Sequence, residues 1–390
     1  MPILSVFRFA ALLISLLILA VAASFLWQWW QGDWVRQGDG DLVRVRPDWP
    51  LWLGLLLLAT SFGGKFLLLP LLARGDKGDR SRPERREGAV IPSPTGNQLY
   101  IEQSGPEGAP TLVLTHGWAM DSTIWNLLRR RLEQRFRVVV WDLPGMGASK
   151  GGGGDSIALG AFAIDLATVI AASGAERVFL VGHSIGGMTI QTLARDQPAL
   201  FSERVAGAVL VNTTYTDPLK TMIASKLLQA LRWPVLEPVM RLTILLQPLA
   251  WLGMWQSYLS GWAHVGNRLG FGRFVTRSQL EHTTLLSTRN PPGDIQRGNL
   301  AMLRWDATGA MAKTMVPTLV IAGEVDIVTK PEAGATIAHS TPGATLTVVD
   351  GVNHMGFLER WEDHVAMITA FIEENQGRTT MSAPSGTQLP

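Results

Sequence analysis

The residues best able to do chemistry in this chain converge on Gly182-His183-Ser184-Ile185-Gly186. An apolar run, Arg177 to Val181, precedes the motif and a helical pattern, Thr189 to Asp196, follows it, so the serine stands on a strand-to-helix turn. Glycine at 182 and 186 suits a turn where strand and helix backbones approach so closely that a Cβ would clash. A serine held there is expected in a strained conformation with its hydroxyl lifted above a sheet. That hydroxyl is a poor nucleophile unless a base takes its proton, and imidazole is the usual base. His354 follows the strand-like run Thr345 to Asp350 and precedes the helical stretch Trp361 to Glu374. It therefore falls on a loop at a strand's carboxyl end, where open α/β sheets build their sites. The imidazole in turn needs a carboxylate on its second nitrogen, and Glu324, Asp326 and Asp350 are the acids in reach of such a loop.

The elements that must position these groups alternate from residue 90 onward. Strand patterns at Gln98–Glu102, Thr111–Thr115, Arg137–Trp141, Arg177–Val181, Val205–Asn212, Thr318–Ala322 and Thr345–Asp350 are separated by helical patterns at Ser122–Arg135, Ile157–Ser173, Thr189–Asp196, Asp306–Lys313 and Trp361–Glu374. This rhythm predicts an α/β fold, a mostly parallel sheet covered by helices on both faces. Between Asn212 and Thr318 the rhythm breaks, which predicts a helical insertion over 213–300.

Five motifs occur in order: His116-Gly117-Trp118, Asp142-x-Pro144-Gly145-x-Gly147-x-Ser149, the Ser184 turn, Gly323-x-x-Asp326 and Gly351-x-x-His354. With these motifs, residues 95–374 resemble the α/β-hydrolase superfamily, in its lipase/esterase-like branch (monoacylglycerol-lipase-like) with an inserted cap. The resemblance implies Ser184 as nucleophile, His354 as base and Asp326, rather than Glu324 or Asp350, as the acid that orients it. It implies an oxyanion hole from the backbone N–H groups of Trp118 and Ile185. It implies no cofactor and no metal. Trp118, His183 and, in the cap, Leu246 and Trp255 are the expected substrate-binding side chains. An aspartate nucleophile, as in haloalkane dehalogenases and epoxide hydrolases, is excluded by Ser184. Carbon–carbon bond hydrolases share the implied constellation and stay open, as does a small-ester esterase. A receptor or scaffold that binds a hydrophobic ligand is the non-enzyme alternative.

The chain has 390 residues, 47% hydrophobic and 17% charged, with no cysteine. Disulfides, thiol nucleophiles and thiolate metal sites are therefore ruled out. The apolar excess lies in the first seventy residues and in 222–275. Phe9 to Trp30 carries no charge and ends in Trp27, Trp29 and Trp30, long enough to cross a hydrocarbon core of ~30 Å with an interfacial aromatic belt. Pro50 to Ala73 is a second apolar stretch, interrupted by Gly63-Gly64-Lys65. Residues 1–73 are thus expected to be a membrane anchor with two transmembrane helices, 9–30 and 50–73. Ala20-Val21-Ala22 resembles a signal-cleavage site, but the tryptophan-rich continuation favours an anchor. Arg36, Arg44 and Arg46 lie between the spans, whereas Arg74, Lys77, Arg80, Arg82, Arg85 and Arg86 follow them. The basic cluster reads as a membrane flank, not a nucleic-acid surface, and places the catalytic part on the cytoplasmic side of an inner or plasma membrane. A polar linker is expected over 74–90, the hydrolase domain over 91–374, and a disordered tail over 375–390.

Within the insertion, Leu242 to Ala263 is uncharged and holds Trp251, Trp255 and Trp262. A membrane span here would separate strands that must share one sheet, so an apolar cap near or shallowly in the bilayer is expected. Such a cap over Ser184 points to a lipophilic ester as substrate and the membrane as partner.

Overall fold

The computed structural model describes residues 2–380, and the expected tail lies outside the described residues from 381 on. The chain opens with helix α1, Pro2–Gln31. A short antiparallel hairpin follows, β1 Asp33–Arg36 and β2 Leu42–Val45, then α2 Asp48–Gly63 and α3 Lys65–Leu72. Helices α1 and α2 run side by side, with Phe25 and Trp49 ring to ring at 5.7 Å at one end. Their contact is made by small residues, as membrane helices favour. Gly54 of α2 lies against Ala22 and Leu26 of α1, where a Cβ would come within 2.8 Å of Leu26, while the buried Ser15 and Ser61 face α11 through Ser260 and Gln256. The Arg44 guanidinium donates to the carbonyls of Trp30 and Gln31, capping the C-terminal end of α1.

Among the described residues one helix, Ala10–Gln31, is long and apolar enough by itself to cross a membrane. The second expected span, 50–73, is not one helix, because α2 and α3 meet at an angle of 60°. The break has a local cause. At Gly64 the chain touches the backbone of Ser260 so closely that no side chain fits. The next residue, Lys65, turns its ammonium to Glu281 at 3.0 Å instead of to lipid.

Residues 74–88 are tethered to the domain and not a free linker. The Arg74 N–H bonds to Val275 O, Ser81 Oγ lies 2.8 Å from His282 Nδ1, and the Arg85 guanidinium lies 3.0 Å from Asp121 and 2.9 Å from Asp142. The eight-stranded sheet then begins. Its strands and flanking helices run β3 Ala89–Pro92, β4 Gln98–Ser104, β5 Thr111–Thr115, α4 Asn126–Leu132, β6 Arg137–Trp141, α5 Leu159–Ala172, β7 Val178–His183, α6 Ile185–Asp196, α7 Pro198–Arg204 and β8 Val205–Val211. The helical insertion comprises α8 Pro218–Thr221, α9 Ser225–Leu231, α10 Glu237–Leu245, α11 Gln247–Ser260, α12 Trp262–Arg268, α13 Arg277–Arg289 and α14 Pro292–Met302. The chain closes with β9 Thr318–Gly323, α15 Pro331–Ser340, β10 Thr345–Val349, α16 Gly356–Glu359 and α17 Trp361–Thr380. Helix α17 thus runs on through the first residues of the expected tail. Residues 306–313, expected to be helical, form successive turns around Gly309 at φ 72°.

The strand order is β10-β9-β8-β7-β5-β6-β4-β3, parallel from β10 through β6 and antiparallel at β4 and β3. Both faces are buried, so the central strands are continuously apolar and successive residues serve opposite layers. Leu112 and Leu114 pack toward α4 and α17, whereas Val113 joins the layer of α5 and α6. The β7–α6 connection thus lies at the carboxyl edge of the parallel strands.

Cap and anchor are fastened by a charged cluster. Glu281 on α13 accepts from Lys65 of α3, Tyr258 of α11 and, at 2.6 Å, His264 of α12. Burial opposes its charge, yet these three partners hold the carboxyl down to about 2. Since this lies below the ordinary 4.5, the stabilisation is fully present above pH ~4.5 and is lost as pH falls toward about 2. After allowance for solvent screening, the cluster contributes about 1–2 kcal/mol. Glu281→Gln should therefore lower the melting temperature at pH 7 by roughly 2–6 °C, with the difference narrowing below pH ~4.5 and closing only below about pH 2. Thermal unfolding of the detergent-solubilised pair checks this, and equal melting at pH 7 would refute it.

Candidate active site

The turn between β7 and α6 is as tight as its glycines require. A Cβ at Gly182 would meet the Gly186 carbonyl at 2.5 Å, and one at Gly186 would strike Thr115 O. Ser184 sits at φ 57°, ψ −117°, a region L-residues rarely occupy, immediately before the first residue of α6. Its N–H is bonded to Val211 O at 2.9 Å and its carbonyl accepts from Thr213 Oγ1 at 2.7 Å, so β8 and the loop after it hold the strained residue in place.

The structure brings Ser184, His354 and Asp326 into one hydrogen-bonded row. His354 Nε2 lies 3.1 Å from Ser184 Oγ, and Nδ1 lies 3.0 Å from Asp326 Oδ2. All three are buried. Burial by itself would raise the Asp326 carboxyl. The adjacent His354, the Thr329 N–H and the Asn212 amide outweigh it and hold the group below its ordinary value. An ionised acid on Nδ1 fixes the tautomer that leaves Nε2 free to accept the serine proton. Glu324 and Asp350 lie elsewhere, Glu324 accepting from the Gly351 N–H and Asp350 paired with Arg273.

Gly117 packs directly on this turn, since a Cβ there would come 3.5 Å from Ser184 Cβ and 2.5 Å from His183 Nδ1. Gly117 and Met120 close a turn with Ala119 at φ 63°, which places Trp118 beside the serine loop. Ile185, as the first residue of α6, presents an N–H that has no partner within the helix. His116 fastens the loop from below, its Nε2 accepting from the Leu143 N–H at 2.9 Å and its Nδ1 facing Gly117 O at 2.8 Å. Burial lowers its proton affinity, so it stays neutral.

The expected substrate-binding side chains fall differently. The Trp118 indole is buried, donating to Ile295 O at 2.8 Å and packed against Gly298 and Phe162, so it is a wall between the serine loop and α14. His183 is fully buried, and Nε2 faces His354 O at 2.9 Å. It supports the histidine loop and touches no open space. Leu246 is 41% exposed at the start of α11 and Trp255 packs edge-on against Tyr258. Neither is among the residues that line the cavity under the cap, to which α11 contributes Ala250, Met254 and Ser257. Residues the motifs did not single out do reach the row. Asn212, at φ 43° just past β8, gives its amide to Asp326 Oδ2 at 2.9 Å, and Thr329 Oγ1 gives a bond at 2.8 Å to the same oxygen. The signal for Asn212 was its place at a strand's carboxyl end combined with asparagine's tolerance of left-handed backbone.

Residues 110–360 match the family described as alpha/beta hydrolase fold. A pimeloyl-[acyl-carrier protein] methyl ester esterase of Yersinia pseudotuberculosis is 27% identical over 287 residues, covering 72% of this chain and 99% of the relative. Another, of Nitrosospira multiformis, is 28% identical, covering 70% and 97%. Among solved structures, an esterase from Exiguobacterium antarcticum superimposes with a TM-score of 0.59 at 18% identity, over 74% of this chain and 100% of that one. The family match carries strands β5 to β10 and the Ser184 turn. The chain belongs to the alpha/beta hydrolase fold family.

Proposed function

We infer that this protein is a membrane-anchored serine hydrolase cleaving carboxylic esters with lipophilic acyl chains, in the manner of a monoacylglycerol lipase. The observation that carries the reading is the Ser184–His354–Asp326 row behind a strained serine. Ser184 Oγ attacks the ester carbonyl while His354 Nε2 takes its proton. The oxyanion that forms is met by the N–H groups of Trp118 and Ile185, donors whose value is realised in the transition state. Collapse breaks the bond to the alcohol oxygen, which leaves with the proton from His354, and the acyl group stays on Ser184. Water, deprotonated by the same imidazole, then attacks the acyl carbonyl and releases the acid, returning the proton to Ser184. Asp326, held by Asn212 and Thr329, stabilises the imidazolium at each stage. The apolar helices of the cap and of 1–73 support a lipophilic substrate, and the hydrolase domain of 91–374 with its cap at 213–300 is the catalytic unit.

The relatives' named substrate, a methyl ester, favours a second reading as a small-ester esterase. Acyl chain length separates the two, since each methylene buried yields ~0.8 kcal/mol, about fourfold in kcat/KM until the pocket is full. Long acyl esters are expected to exceed acetates steeply in the detergent-purified enzyme, and a flat or acetate-favouring series would leave the small-ester reading. Ser184→Ala or His354→Ala should lower turnover by roughly 10⁴-fold or more in either case, and retained hydrolysis in a folded Ser184→Ala protein would overturn the mechanism.

For location we propose that α1 crosses the membrane and the α2–α3 pair returns as a broken span. The hydrolase domain then faces the cytoplasm, as the basic excess at 74–86 favours. A reporter in the Gln37–Gly40 turn should read external and one at the C-terminus cytoplasmic. The reverse pair of readings would move the domain across the membrane.

A further inference from the structure

The cap does not enclose its cavity alone. A space of about 190 Å³ lies between Val235 and Leu236, helices α10, α11, α12, α13 and α14, and Leu12 of α1. Val239, Met240, Met254 and Ile295 give it apolar walls, Ser257, Asn267 and Gln296 are among its polar lining, and no charged side chain among the described residues lines it. It is somewhat larger than the ~150 Å³ cavity known to take benzene, room enough for part of a hydrocarbon chain.

The packing around it sets its depth. Gly253 and Ser260 of α11 lie on α1, a Cβ at Gly253 overlapping Leu12 and Ser260 Oγ bonding Ser15 Oγ at 2.8 Å. This is the small-residue contact of membrane helices again. Leu12 lies four residues past Arg8, the last charge before the apolar run of α1, about 6 Å along the helix axis. The cavity therefore lies at the domain-side edge of the hydrocarbon, where the acyl chains of that leaflet begin. The outer surface of the cap agrees. Leu242, Leu245, Leu249 and Leu252 are each more than half exposed, continuing the apolar surface of α1, and Val235, which lines the cavity, is itself 43% exposed and marks its mouth. On the inner side Ile295 belongs to the cavity while its carbonyl holds the Trp118 indole, so one side chain separates the cavity from the proposed oxyanion loop.

We propose that this cavity binds a single hydrocarbon chain drawn sideways from the domain-side leaflet, with the membrane helix α1 forming part of the binding site. The inference deepens the ester-hydrolase reading by assigning where the acyl chain lies, and it stands on geometry that does not require Ser184 to react.

The test uses the full chain in lipid nanodiscs and a hexadecanoyl fatty acid carrying a mid-chain diazirine. On illumination, cross-links should concentrate on peptides containing Leu12, Met240 and Met254. Leu12→Trp combined with Met254→Trp fills the space and should cut that labelling at least about tenfold, as expected when two methylene groups are excluded at ~0.8 kcal/mol each. Leu17→Trp, at an exposed position of α1, should leave it unchanged and reports whether a tryptophan in α1 alone disturbs the anchor. Prior treatment with a dodecyl fluorophosphonate distinguishes the source of the chain. Blocked labelling, with a methyl fluorophosphonate ineffective, means that the cavity takes the tail of a substrate held at Ser184, whereas undiminished labelling means that it takes a chain from a membrane lipid. Cross-links spread evenly along α1, or undiminished in the filled variant, would overturn the proposal. Failure of both fluorophosphonates to react would contradict the ester-hydrolase reading and leave the cavity result intact.

Discussion

The structure depends on how little room there is between β7 and α6. A parallel strand must turn directly into a helix packed on the same sheet, and the carbonyls of Thr115 and Gly186 stand where side chains would otherwise be. That crowding forces glycine at 182 and 186 and drives Ser184 to a positive φ. Strain of this kind persists only where the surroundings over-determine it, and here bonds to Val211 and Thr213 in the next strand and loop do so. The result is a hydroxyl held at the sheet's carboxyl edge, facing the one imidazole able to deprotonate it. Loops after β5, β8, β9 and β10 supply Trp118, Asn212, Asp326 and His354, so one sheet edge sets the relative position of every group in the site.

The same logic of close approach joins the cap to the N-terminal helices. Glycine or serine at 54, 61, 64, 253 and 260 lets α1, α2 and α11 pack closely on one another. Lys65, the one charge in the second apolar stretch, is neutralised by a carboxylate from the cap. The cap is thus a shared element, bonded to the anchor by Glu281 and to the serine loop through the Trp118–Ile295 contact. A movement of the N-terminal helices relative to the hydrolase domain would be felt at Trp118.

What could be read from the sequence was whatever is written in local spacing. The β-branched runs gave the strands, and five short motifs gave the order of Ser184, Asp326 and His354. What could not be read depended on contacts between distant segments. The bend at Gly63-Gly64 reflects Ser260, nearly two hundred residues away. The docking of 74–88 rests on His282 and Asp142, so a stretch that is polar and glycine-rich by composition is tethered in space. Leu246 and Trp255 were apolar and in the right insertion, but which face of α11 meets the cavity is settled by the packing of Gly253 on Leu12, and that face carries Met254 and Ser257. The place of Asn212 at a strand's end could be read, but its bond to Asp326 exists only once β8 and β9 lie side by side.

The central claim is that Ser184 carries the acyl group. Mass spectrometry of the full-length protein, acid-quenched during turnover of a slowly hydrolysed long-chain ester, tests it most directly. The account predicts a mass increase equal to the acyl group, localised by proteolysis to the peptide containing Ser184 and absent from Ser184→Ala. Ester turnover with no acylated protein, or with the acyl group on another residue, would contradict it.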